Sequence, residues 1–116
     1  MSKVKITVGG AMEIQASRRF IEAWHRAERG ERFYERHLAF ESWDALARVL
    51  TKKRMELLRY VRRHKVASVR ALAKALRRDY SNVHADVQAL AAAGLLDVGD
   101  GGIRADYDEI ETKIAV

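Results

Sequence analysis

The chain has 116 residues, no cysteine, no proline, 48% apolar side chains and a formal net charge of +6, which leaves room for one domain or a small unit with an appended segment and excludes disulfides and cysteine-ligated metal centres. No apolar run approaches the roughly 18–20 residues that span a bilayer, and residues 1–10 lack the apolar core of a signal peptide, so a cytoplasmic protein with no membrane partner is expected. Residues 52–78 hold eleven basic side chains against Glu56 alone, a net +10, whereas residues 79–116 hold Arg104 and Lys113 against eight acids, a net −6.

Positive charge gathered in one stretch repels itself, and a polyanion is the partner that relieves it. A solvated face of arginine-rich helices would carry the same charge, so the order of the elements has to decide between them.

Lys3, Lys5 and Thr7 alternate with Val4, Ile6 and Val8, a period-2 pattern that predicts a half-buried strand closed by Gly9 and Gly10. From Ser17, an N-cap, to Gly30, a C′ residue, Phe20, Ala23, Trp24 and Ala27 recur at helical spacing. Leu38 and Phe40 mark a second strand over 37–41, and Ser42 caps a short helix through Leu46, Val49 and Leu50. Residues 1–50 therefore read as a strand-helix-strand-helix extension. Its strands could pair with each other or across a two-fold axis, which assigns this half to dimerisation.

Thr51 caps the next helix, 52–64, with Met55, Leu58 and Val61 as its apolar stripe. Lys52, Lys53 and Arg54 occupy the first turn, where the helix dipole makes each cation cost about 0.3–1 kcal/mol. Either an anion offsets them or the helix runs on unbroken from 42–50. Ser68 opens a helix to residue 77, with Val69, Leu72, Ala73 and Leu76 on one face. Asp79 or Ser81 caps a third helix, 80–93, with Val83, Val87, Leu90 and Ala91 inward and Gly94 as its stop. Leu95–Val98 and Ile103–Tyr107 then form a hairpin around Gly99-Asp100-Gly101-Gly102, and Ile110, Ile114 and Val116 punctuate an acidic, extended tail able to add a strand.

Helix, helix, short turn, helix, hairpin is the layout of a winged helix-turn-helix, so the expected fold is α+β, with a winged helix-turn-helix over 51–116 behind the 1–50 extension. In that layout the exposed face of helix 80–93 fits a major groove. That face carries Ser81, Asn82, His84, Ala85 and Gln88, the candidates for base contact: Asn and Gln can pair with adenine, His can donate to guanine, and an Ala methyl can touch thymine. Arg70, Arg77, Arg78, Tyr80 and, beside the glycine turn, Arg104 are the candidates for phosphate. Asp97, Asp100, Asp106 and Asp108 oppose a deeply embedded hairpin, because acids near phosphates repel.

Ser68-Val69-Arg70-Ala71-Leu72-Ala73-Lys74-Ala75-Leu76, Asp79-Tyr80-Ser81-Asn82-Val83-His84-Ala85-Asp86-Val87 and Ala93-Gly94-Leu95-Leu96 resemble the MarR-like predicted transcriptional regulators of bacteria and archaea that carry an Asp-Tyr-Ser-Asn-Val-His recognition helix. Phe40-Glu41-Ser42-Trp43 and Leu50-Thr51-Lys52-Lys53-Arg54 extend the likeness to about residues 38–116. It implies a sequence-specific regulator of double-stranded DNA; the homodimer is expected from residues 1–50, and no cofactor is expected. Some members are encoded as antitoxins beside small toxins, so an autoregulating antitoxin with a toxin partner stays open. Ala85 departs from the pattern where the group often has a basic residue, which implies weaker backbone affinity there.

Catalysis is not expected. His25, His37, His64 and His84 lie in separate elements, no glycine-rich phosphate loop follows the first strand, and no serine sits in a nucleophile elbow. The rival reading is a protein-interaction module in which residues 1–50 or the acidic 106–116 tail bind a basic partner such as a toxin, with the winged helix as scaffold only.

Overall fold

The computed structural model describes residues 2–9 and 34–116, arranged as β1 (Ser2–Val8), β2 (Tyr34–Phe40), α1 (Trp43–Val49), α2 (Lys52–Arg63), α3 (Val69–Leu76), α4 (Tyr80–Ala92), β3 (Asp97–Gly99), β4 (Gly102–Arg104) and β5 (Glu109–Ile114). The architecture is α+β. The expected helix from Ser17 to Gly30 lies outside the described residues. The chain forms two compact units, one of Met1–Ala45 with Asp108–Val116 and the other of Leu46–Tyr107.

In the first unit the alternation along β1 has its physical result: Val4, Ile6 and Val8 are buried, while Lys3, Lys5 and Thr7 are half-exposed. The strand is central in a three-stranded parallel sheet of order β2-β1-β5. The two N-terminal strands thus pair with each other, Ser2 beside Tyr34 through Val8 beside Phe40. The acidic C-terminal segment takes the other edge, with Lys3 beside Glu109 and Val8 beside Ile114. This differs from the division at residues 50 and 51, which left that segment with the second part. Its backbone groups need a ladder, and β1 supplies one that hydrogen bonds from Asp108 to Ser2 (2.9 Å) and from Ala115 to Val8 (3.0 Å) extend at both ends. Ion pairs of Lys3 with Glu111 (3.2 Å) and Lys5 with Glu35 (3.6 Å) cross the strands.

In the second unit each helix begins at a side-chain cap. Thr51 accepts from the Arg54 amide, Ser68 from Ala71 and Asp79 from Ser81, so of the two candidates for the third cap Asp79 fills the role. Thr51 also separates α1 from α2, so the helix does not run on unbroken from 42–50. On α2 the buried residues are Leu57, Leu58 and Val61, and Met55 is half-buried, a stripe shifted from the expected one by the inclusion of Leu57. Leu72 and Ala73 of α3 and Val83, Val87 and Leu90 of α4 are also buried, as are Leu95, Leu96, Ile103, Ala105 and Tyr107. At 25 cal/mol per Å² of apolar area this burial is the main stabilising term. Gly94, at φ 85°, ends α4 in a left-handed turn with Leu95 donating to Leu90 (2.9 Å), and the Tyr107 hydroxyl closes the same corner by donating to the Leu95 carbonyl (2.8 Å).

The hairpin strands are shorter than expected, β3 pairing with β4 only from Asp97–Arg104 to Gly99–Gly102. A third backbone joins them: Val66, between α2 and α3, bridges Ile103, whose amide donates to the Val66 carbonyl (2.9 Å). Gly102 makes this approach possible. Its φ is 103°, and a Cβ there would collide with the Val66 carbonyl oxygen.

Candidate functional site

The link from α3 to α4 is three residues long, and its geometry follows from how α3 ends. Arg77 is left-handed (φ 54°, ψ 48°), with its own amide bonded to the Lys74 carbonyl and the Arg78 amide to the Ala73 carbonyl. This pair of bonds is the Schellman termination, in which glycine usually holds the place that Arg77 occupies. Asp79 then caps α4, and the chain has turned from one helix into the next.

α4 presents two faces. Val83, Val87 and Leu90 are buried, which rotates Tyr80, Ser81, Asn82, His84, Ala85 and Gln88 outward, and all six are exposed. The five candidates for base contact therefore lie in one solvent-facing row. At the start of the row the Arg70 guanidinium from α3 sits 5.2 Å from the centre of the Tyr80 ring, and the His84 ring, tilted by 30°, has its centre 5.8 Å from that of Tyr80. Arg70 and Arg77 are exposed at this end. Arg104 lies on β4 in the hairpin, 66% exposed, and its Nε is 3.7 Å from Asp106.

Arg78 behaves differently from the expectation of a phosphate contact. Its Nη2 donates to Asp86 Oδ2 at 2.7 Å, and the side chain is largely buried. Arg54 Nε donates to the other oxygen, Oδ1, at 2.9 Å, so two guanidiniums hold one carboxylate. The Arg54 Nη1 also donates to the carbonyls of Arg48 (2.9 Å) and Val49 (3.1 Å), tying the end of α1 to the start of α2. Burial alone would raise the Asp86 carboxyl, but the hydrogen bonds and charges of Arg54 and Arg78 outweigh it and hold the group below its usual range. Arg78 thus bonds α4 through Asp86. Asp86 is also the anion that the cationic first turn of α2 called for, though it meets Arg54 alone, and Lys52 and Lys53 remain exposed.

Sequence reading missed this clamp and the Val66 bridge. Arg54 and Asp86 are 32 positions apart and belong to no shared periodicity, and a one-residue bridge has no alternation to detect. Among the described residues no group of histidines and carboxylates is arranged to hold a metal ion, and no helix is long and apolar enough to cross a membrane.

The HVO_A0114 family model matches residues 49–112, more than half of the chain. The chain belongs to the HVO_A0114 family. The matched residues run from the end of α1 into β5, the range in which this chain has the exposed row of α4, the Arg54–Asp86–Arg78 clamp and the hairpin. No curated protein and no solved structure matches the chain.

Proposed function

We propose that this chain is a winged helix-turn-helix regulator of the MarR-like kind that binds double-stranded DNA as a homodimer. α4 is its recognition helix, and the β3–β4 hairpin is its wing. The order α2, Val66 bridge, α3, α4, β3, β4 supports the fold reading, because a winged helix needs a single strand after its first helix to complete the wing sheet. The observation that carries the function is the row Tyr80, Ser81, Asn82, His84, Ala85 and Gln88, exposed on one face while the opposite face is buried.

In this reading Asn82 and Gln88 pair with adenine edges, Ser81 and His84 donate or accept beside them, and the Ala85 methyl meets a thymine methyl. Arg70, Arg77 and Tyr80 take the flanking phosphates, and Arg104 takes one from the wing. Tyr80, with the Arg70 guanidinium 5.2 Å from its ring centre, holds that cation at the entrance of the groove. The alternative in which an acidic tail captures a basic toxin has less to rest on, since Glu109–Ile114 is a strand and Glu111 is ion-paired with Lys3.

The test is selection of a duplex from a random pool by the full chain, followed by anisotropy titrations. The R70A/R77A double variant should bind more weakly, with a salt slope smaller by about two. N82A/H84A should lose about 1–3 kcal/mol of preference for the selected over a scrambled duplex. Failure to enrich any sequence, or a preference indifferent to Asn82 and His84, would overturn the assignment.

A further inference from the structure

A homodimer needs a surface, and the two N-terminal strands do not supply it by pairing across a two-fold axis, because they pair with each other. The sheet order β2-β1-β5 leaves β2 and β5 as the edges among the described residues. Residues 35–40 of β2 are all half-buried, whereas on β5 only Ile110 is half-buried and the rest of the strand is exposed. Ile114 is 51% exposed, although Val8, its register partner on the same face of the sheet, is 2% exposed. The apolar face is thus covered over β1 and bare at the end of β5. The carbonyls of Ser2 and Val8 accept from Asp108 and Ala115, so the even-numbered residues of β1 turn their backbone groups toward β5. In a parallel ladder such a residue bonds to the two neighbours of its register partner. The partners Ile110, Thr112 and Ile114 therefore turn their own amides and carbonyls to the open edge.

The segment Ile110-Glu111-Thr112-Lys113-Ile114 is complementary to itself read backwards. Laid antiparallel on a second copy with Thr112 opposite Thr112, it sets Glu111 opposite Lys113 on one face and Ile110 opposite Ile114 on the other, and symmetry repeats each pair. Charges on an exposed edge ordinarily discourage pairing. Here they select a register, because moving the two-fold axis by one residue opposes Glu111 to Glu111 or Lys113 to Lys113. Glu111 is 57% exposed and gives only Oε2 to Lys3 (3.2 Å), which leaves Oε1 for a second cation.

We infer that β5 is the dimerisation edge: two copies of the chain pair their Ile110–Ile114 segments antiparallel about a two-fold axis at Thr112, which joins the two sheets into one. This rests on the homodimer of the proposed function and names the strand that makes it. It needs no part of the reading of DNA by α4.

The experiment is sedimentation equilibrium of the full chain over a concentration series. Wild type should dimerise. K113E opposes acid to acid in both symmetry-related pairs and E111K opposes base to base, so each should weaken the dimer about tenfold or more. Mixed in equal amounts, the two variants should form a heterodimer about as tight as the wild-type dimer, since every pair then has opposite charges. Amide hydrogen exchange reads the same register: Ile110, Thr112 and Ile114 should be protected in the wild-type dimer and lose protection in K113E, while the Glu111 amide, turned to β1, should not change. A monomer at every concentration would overturn the homodimer reading and this edge with it. A dimer indifferent to both substitutions, or variants that stay apart on mixing, would overturn the edge alone.

Discussion

Arg54 and Asp86 are 32 residues apart in the chain and 2.9 Å apart in space, and the bond between them joins the first turn of α2 to the middle of α4. With Arg78 on the other carboxylate oxygen, it fixes the rotation of the helix whose outer face carries the candidate contacts. The three side chains are largely buried, so deleting the acid leaves two guanidiniums without their counter-charge. D86A is expected to lower unfolding free energy by about 2–3 kcal/mol, read by urea denaturation. A double-mutant cycle with R54Q should show coupling of at least about 0.5 kcal/mol, and strict additivity would remove the clamp from the account.

The same carboxylate gives the protein a specific acid sensitivity. Its pKa is lowered in the folded state from the ordinary 3.8, so the folded chain binds its proton less readily than the unfolded chain. The stabilisation is therefore complete above about pH 4 and disappears as the pH falls through the folded value. Wild type should lose more stability than D86N over that acid window, and the two should run parallel above it. Equal slopes below pH 4 would mean that the clamp does not contribute.

Much of this arrangement is legible in the amino-acid sequence because it is local. The alternation of Val4, Ile6 and Val8, the caps Ser42, Thr51 and Ser68, and the spacing of Val83, Val87 and Leu90 each act within a few residues and foretell the element they build. The exposed row of α4 follows from that spacing, since a helix that buries one face turns the other outward. What was not legible depends on contacts distant in the chain. Arg78 resembles any exposed arginine until Asp86 is placed against it, and the segment from Glu109 to Ile114 reads as an extended tail able to add a strand, without the sequence naming β1 as the edge it joins.

Gly102 separates the glycines that the hairpin needs from those it tolerates. At φ 103° with the Val66 carbonyl where a side chain would begin, G102A must either push Val66 away or break the bridge, at about 1–3 kcal/mol. Gly99 and Gly101 face open space at the same turn. G99A and G101A should therefore be destabilising by less than G102A in thermal melts, and only G102A should speed hydrogen exchange at the Ile103 amide. An Ile103 amide equally protected in G102A would show that the hairpin does not depend on the Val66 contact.

Arg77 gives the sharpest separation of folding from binding. A side chain in the left-handed region is disfavoured by contact between its Cβ and the following carbonyl, and the Schellman turn that holds it there is one that glycine completes without strain. R77G should therefore stabilise the chain by about 0.5–1 kcal/mol. If the guanidinium takes a phosphate, the same change should weaken duplex binding and reduce the salt slope by about one. The two effects run in opposite directions, so a loss of affinity in R77G could not be blamed on a loss of fold. A variant that is more stable and binds duplex as well as wild type would leave Arg77 with no part in the interface and would shift the phosphate contacts to Arg70 and the start of α4.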